Sequence, residues 1–246
     1  VSEVIIEVII EVGPGTIRGA NDARQELIST ALDFVDDEIA LLADRPVSVQ
    51  DVWDGVMSSI AAADVDTVVL ICPAWWPQAR IGRARQAALS VAKEVVVLER
   101  IALLRHGIPA DTTVVEVTLD AVVVTGFGTI TAVVARGAET AAVIDAVAAA
   151  VGAPAGVLVD APPAVLGAEF LASMIAQRMR AIGVPVSFAD DDGVRRAAAV
   201  QRSHHEVERP GRFSSRTALA LLSGVVSAAV LIAGFTVLPG GGYDPR

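Results

Sequence analysis

Residues 112–135 read TTVVEVTLDAVVVTGFGTITAVVA. Three runs rich in β-branched residues are separated by two turn signals, Leu119-Asp120 and Gly126-Phe127-Gly128. Branched side chains are stiff at χ1 and pack well on a pleated surface. The stretch therefore predicts three strands, Thr112–Thr118, Ala121–Thr125 and Thr129–Ala135, joined as a meander. Working downstream, apolar periodicity and short apolar runs predict a helix over Glu139–Val151 and a strand over Gly156–Asp160. A helix over Val165–Ile182 and a strand over Val184–Ser187 follow.

The same order can be read upstream. Residues 1–12, VSEVIIEVIIEV, are almost all β-branched apart from glutamates at every fourth position, and they predict a strand that Gly13-Pro14-Gly15 breaks. Further strands are expected near Thr16–Gly19 and Glu38–Ala43. A helix begins at Ser48, with Asp51 as a capping partner and Val52, Val56 and Ile60 as its stripe. Asp66–Cys72 predicts a central strand, Ala79–Ala92 a helix with Arg80 and Arg83 outward, and Glu94–Leu98 a strand. The chain thus carries strand, strand, strand, helix, strand, helix, strand twice. Two such lobes side by side give the actin-like architecture, related to the ribonuclease H fold. The pattern alone also allows a doubly wound sheet.

The whole chain has 246 residues, 53% of them hydrophobic and 4% aromatic, so there is ample material for an α/β core. A net charge of −10 argues against a nucleic-acid partner, because binding phosphate backbones needs a basic surface. The single cysteine, Cys72, excludes an intrachain disulfide framework and offers no thiolate pair for zinc. No basic segment followed by a short apolar core opens the chain, so no signal peptide is expected.

Thr217–Leu238, TALALLSGVVSAAVLIAGFTVL, contains no charge and no proline. Its length matches the roughly 20 apolar residues a membrane-crossing helix needs. Six arginines (195, 196, 202, 209, 212 and 216) precede it and only Arg246 follows. The positive-inside rule then predicts a single-pass protein of the plasma membrane, N-terminal domain in the cytoplasm, with the bilayer as a partner. The expected organisation is lobe I over 1–110, lobe II over 111–188, a juxtamembrane linker over 189–216, the span over 217–238 and a short external tail over 239–246.

Val69–Glu99 resembles a segment of heat-shock-chaperone ATPases: Pro73-Ala74-Trp75-Trp76 and Gln78-Ala79-Arg80 keep its cadence, and Glu99 stands at a turn where that family has a Glu. Ile10–Gly19 resembles the first phosphate loop of the same superfamily. The resemblance implies a vestigial nucleotide cleft holding Glu11, Gly13, Gly15, Thr16, Glu99 and Glu116. The sequence departs from the family there. Pro14 removes a backbone donor, Thr118, Leu119 and Asp120 replace the glycines of a second phosphate loop, and Asp160-Ala161-Pro162 stands where an adenosine loop has glycines. Phosphoryl transfer depends on positioning a phosphate–metal unit. The expectation is therefore a pseudo-ATPase with no catalytic residue, no metal and no cofactor, and with Mg-ATP binding as the alternative.

Glu11–Thr16, Asp44–Val47 and Pro73–Pro77 together, with the late apolar segment, resemble the type VII secretion-associated protein family of actinobacteria. That resemblance implies a cytoplasmic adaptor whose partners are the secretion system's membrane components. A nucleotide switch or active ATPase, and an actin-like adaptor of cell division or pilus assembly, are the other readings. Trp75 and Trp76 lie at a strand end between prolines. They read as a cap on the core or as an aromatic anchor for a partner. Asp190-Asp191-Asp192 reads as a solvated loop, and His204-His205 as solvated residues near the membrane.

Overall fold

The computed structural model describes residues 6–137 and 139–208, with residues 202–208 described by their backbone alone. Chain up to Ser203 forms one unit; the other, His204–Arg246, lies almost wholly outside the described residues. The elements of the first half are β1 (Glu7–Gly13), β2 (Thr16–Arg18), α1 (Gln25–Asp33), β3 (Ile39–Leu42), β4 (Arg45–Ser48), α2 (Val49–Ile60), β5 (Thr67–Cys72), α3 (Gln78–Ala88), β6 (Glu94–Glu99) and α4 (Arg100–Leu104). The second half contains β7 (Thr112–Val117), β8 (Ala121–Gly126), β9 (Thr129–Ala135), α5 (Thr140–Val151), β10 (Gly156–Asp160), α6 (Ala168–Ala181), β11 (Val186–Phe188) and α7 (Asp191–Glu208).

This is a mixed α/β fold with two main sheets. The first has the order β2-β1-β5-β6 and the second β11-β10-β7-β8-β9. In each, a first strand pairs antiparallel with the next strand and parallel with a later one. The second sheet realises the meander and both crossovers in the expected order. The first sheet departs from expectation at its third strand: β3 pairs only with β4, as a separate hairpin, and α1 stands between β2 and that hairpin.

Period-2 alternation then assigns faces. Val8, Ile10 and Val12 of β1 and Val68, Leu70 and Cys72 of β5 pack under α2 and α3 with the fully buried Trp53. Val115 and Val117 of β7 and Val157 and Val159 of β10 pack under α5 and α6. The opposite faces of both sheets meet in a third cluster, where Val69 and Ile71 of β5 join Val114 of β7 and Leu158 of β10. Val194 and Ala198 of α7 belong to this seam. The residues after 188, read as a linker with room for some helix, begin with a helix packed on the core.

Among the described residues no helix is long and apolar enough to cross a membrane. The expected span, Thr217–Leu238, and the tail after it lie outside the described residues.

Candidate functional site

The alternation that buries valines outward turns three acids into the seam. Glu11 sits beside Ile9 on the inner face of β1. Glu116 follows Val114 on β7, and Asp160 follows Leu158 on β10, directly opposite Glu116 in register. All three are at least nine-tenths buried, at 5%, 3% and 2% exposure. Isolated charges there would be very costly, so each needs a partner.

The partner is Arg100, the first residue of α4, itself only 1% exposed. Its Nε donates to Asp160 Oδ2 at 2.7 Å and its Nη2 to Asp160 Oδ1 at 2.9 Å, a bidentate fork. Nη1 donates to Glu11 Oε1, and Nη2 also donates to Asp191 Oδ1 at 2.8 Å. Asp191 in turn accepts from Arg18 Nη1 at 3.1 Å, and Arg195 Nε lies 3.8 Å from Glu11 Oε2. Three carboxylates (Glu11, Asp160, Asp191) therefore face three arginines (Arg18, Arg100, Arg195), and their formal charges cancel.

Glu116 is the acid left over. Its Oε2 is buried without a hydrogen-bond partner. Burial, then the nearby Asp160 charge, push its carboxyl up to about 8, against the opposing pull of Arg100. Near neutral pH it therefore keeps its proton, which leaves the balanced cluster undisturbed. Burial opposes the charge on Arg100, but the bonds to Asp160, Glu11 and Asp191 outweigh it and hold the guanidinium above its ordinary value. Burial likewise opposes the charge of Asp191, yet Arg100 and Arg18 together hold its carboxyl below the usual range.

The acid run at 190–192 is not simply a solvated loop. Asp190 accepts from the backbone N–H groups of Asp192 and Gly193, both at 3.1 Å, and so starts α7. Asp191 turns inward to the cluster, and Asp192 stays exposed.

The other residues expected at a nucleotide cleft divide. Gly13 and Gly15 have positive φ, +118° and +84°, in the β1–β2 turn. Glycine is needed there for close approach, but protein, rather than open space, lies against it. A Cβ on Gly13 would fall 2.5 Å from Pro73 Cγ, and one on Gly15 would fall 2.9 Å from the Ala164 carbonyl oxygen of the second half. Thr16 is half-buried and pairs with Gly13. Glu99 is exposed at the end of β6, outside the cluster. Its neighbour Arg100 is the residue that reaches in, and sequence reasoning missed it.

Trp76 is buried. Its ring meets those of Trp53 and Trp75 edge-on, at 6.4 Å in each case, and the Arg80 guanidinium sits 5.9 Å from it. Trp75 is half-buried beside a cavity of about 650 Å³ between the two halves. Arg80 and Arg83, expected to point outward, are instead tied to the turn after α1. Arg80 Nε donates to Asp36 Oδ1 at 2.8 Å, and Arg83 Nη1 to the Val35 carbonyl at 2.7 Å. Leu89, just past the end of α3, is 42% exposed.

Among the described residues no group of three or more His, Cys, Asp or Glu side chains is arranged to hold a metal ion. Cys72 is buried, and its thiol is pushed up to about 12 by that burial, so it offers no nucleophile.

No family model matches the chain, and no curated protein does. Among solved structures, the AlfA filament bound to AMPPNP is similar at 8% identity, over 83% of this chain and 99% of that one, with a TM-score of 0.42. A Bacteroides thetaiotaomicron protein with an actin-like ATPase fold and unknown function is similar at 7% identity, over 79% and 95%, with a TM-score of 0.39.

Proposed function

We propose that this chain is a non-catalytic, actin-like adaptor, held at the cytoplasmic face of the plasma membrane by residues 217–238 and working with an actinobacterial type VII secretion apparatus. The observation that carries the non-catalytic reading is Arg100. A guanidinium that bonds Glu11, Asp160 and Asp191 at once occupies the acids that a metal–nucleotide would need. The turn expected to cradle phosphate supports the same reading, because Gly15 abuts the Ala164 carbonyl. The side chains Thr118, Leu119 and Asp120 at the β7–β8 turn also add bulk and charge where a phosphate would want bare backbone.

The actin-like part of the reading rests on the strand orders of the two sheets and on the motif cadence of Glu11–Thr16 and Pro73–Pro77. The secretion and membrane parts rest on the sequence resemblance and on the apolar run at 217–238.

Calorimetry of Mg-ATP and Mg-ADP against the full chain in detergent should give no binding heat at millimolar nucleotide. Magnesium-dependent binding at micromolar concentration would overturn the non-catalytic reading. Deleting the gene in its host should impair export by the secretion system; unchanged export would remove the secretion assignment.

A further inference from the structure

We propose that the cavity between the two halves is a docking groove for a basic, leucine-rich peptide segment of a partner protein. This rests on the adaptor reading only in that the groove holds a polypeptide instead of a nucleotide. The cavity's volume, about 650 Å³, is in the range of ligand sites. Its walls are apolar, and several are left uncovered: Leu166 is 86% exposed, Val133 62% and Leu119 51%. Trp75 lines it as well.

Charge fixes the sign of the occupant. Asp33, Asp36 and Asp120 line the groove, with Arg80 as the cation among its lining residues. Arg80 is committed to Asp36. Asp33 and Asp120 are exposed, and neither carboxylate is held in an ion pair among the described residues. An incoming lysine or arginine would find two carboxylates flanking an apolar slot, while an acidic segment would meet repulsion.

The test uses the full chain in detergent and two fluorescein-labelled peptides with the same leucine pattern, one carrying lysines and the other glutamates. The lysine peptide should bind with a polarisation change at least about tenfold tighter than its counterpart, a difference of about one decade in Kd. Asp33→Asn with Asp120→Asn should erase most of that preference. Leu166→Asp, at an exposed position that leaves the core intact, should abolish binding of the lysine peptide. Equal affinity for both peptides, or binding unchanged by all of these substitutions, would overturn the groove. Mg-ATP is added as a competitor. Displacement of the peptide by nucleotide would sink the non-catalytic reading and leave the groove standing, so the two can fail separately.

Discussion

Replacing Arg100 with methionine should lower folding stability by about 3–5 kcal/mol, the usual cost of removing one partner from a buried ion pair. Methionine fills much of the same volume, so the loss measures charge rather than a cavity. It strips Asp160 of both hydrogen bonds of its fork and leaves Glu11 with only a 3.8 Å contact to the half-exposed Arg195. Urea unfolding near pH 7 would report the shift in midpoint. Adding Glu11→Gln and Asp160→Asn in the methionine background should recover a large part of the loss, because neutral amides need no counter-charge. A loss below about 1 kcal/mol would mean that the guanidinium is not what holds the two sheets' acids together.

Glu116→Gln should change the pH dependence of stability more than its value at any one pH. The carboxyl rises from an ordinary 4.5 to about 8 in the folded chain. Between those limits the folded state keeps a proton that the unfolded state releases, so stability falls as pH rises through that window and levels off above it. Glutamine has the same shape and never titrates. The variant should therefore gain on the parent steadily from pH 4.5 to pH 8, ending ahead by on the order of 5 kcal/mol. Thermal melts across that range would trace the two curves, and parallel curves would show that Glu116 is not held protonated beside Asp160 and Arg100.

The sequence showed the second half of the fold clearly and the first half only in part. The β7–β9 meander announced itself because branched residues alternate between two glycine- or aspartate-marked turns. The β3–β4 hairpin did not. Its turn uses Ala43 and Asp44, both with positive φ (50° and 61°), where Asn-Gly would have been the signal. Pro46, a residue that central strands exclude, is tolerated in β4 because a two-stranded hairpin has only edges. The nine-residue α1 carries no side-chain cap, and its stripe of Leu27, Ile28 and Ala31 is too short to stand out.

The site was legible by half. Glu11 and Glu116 were reached through the resemblance of their segments to phosphate loops, and the structure buries both in the seam. Arg100 could not be picked out, because its partners Asp160 and Glu11 lie 60 and 89 residues away along the chain. Nothing local distinguishes a buried arginine from the solvated ones that outnumber it. Asp191 was hidden by its two acidic neighbours, which do quite different work.

The position of α7 gives the chain a definite load path. Its first turns are wedged into the seam by Val194 and Ala198, and they are riveted to β2 and α4 through Asp191. A pull on the chain beyond this helix would load the seam between the sheets. It would have to lift Ala198 and then Val194 out of the seam they share with Leu158 and Leu98, and then draw Asp191 away from Arg18 and Arg100. The apolar seam and the charged cluster would thus yield in that order, making α7 a mechanical fuse in series with the rest of the fold.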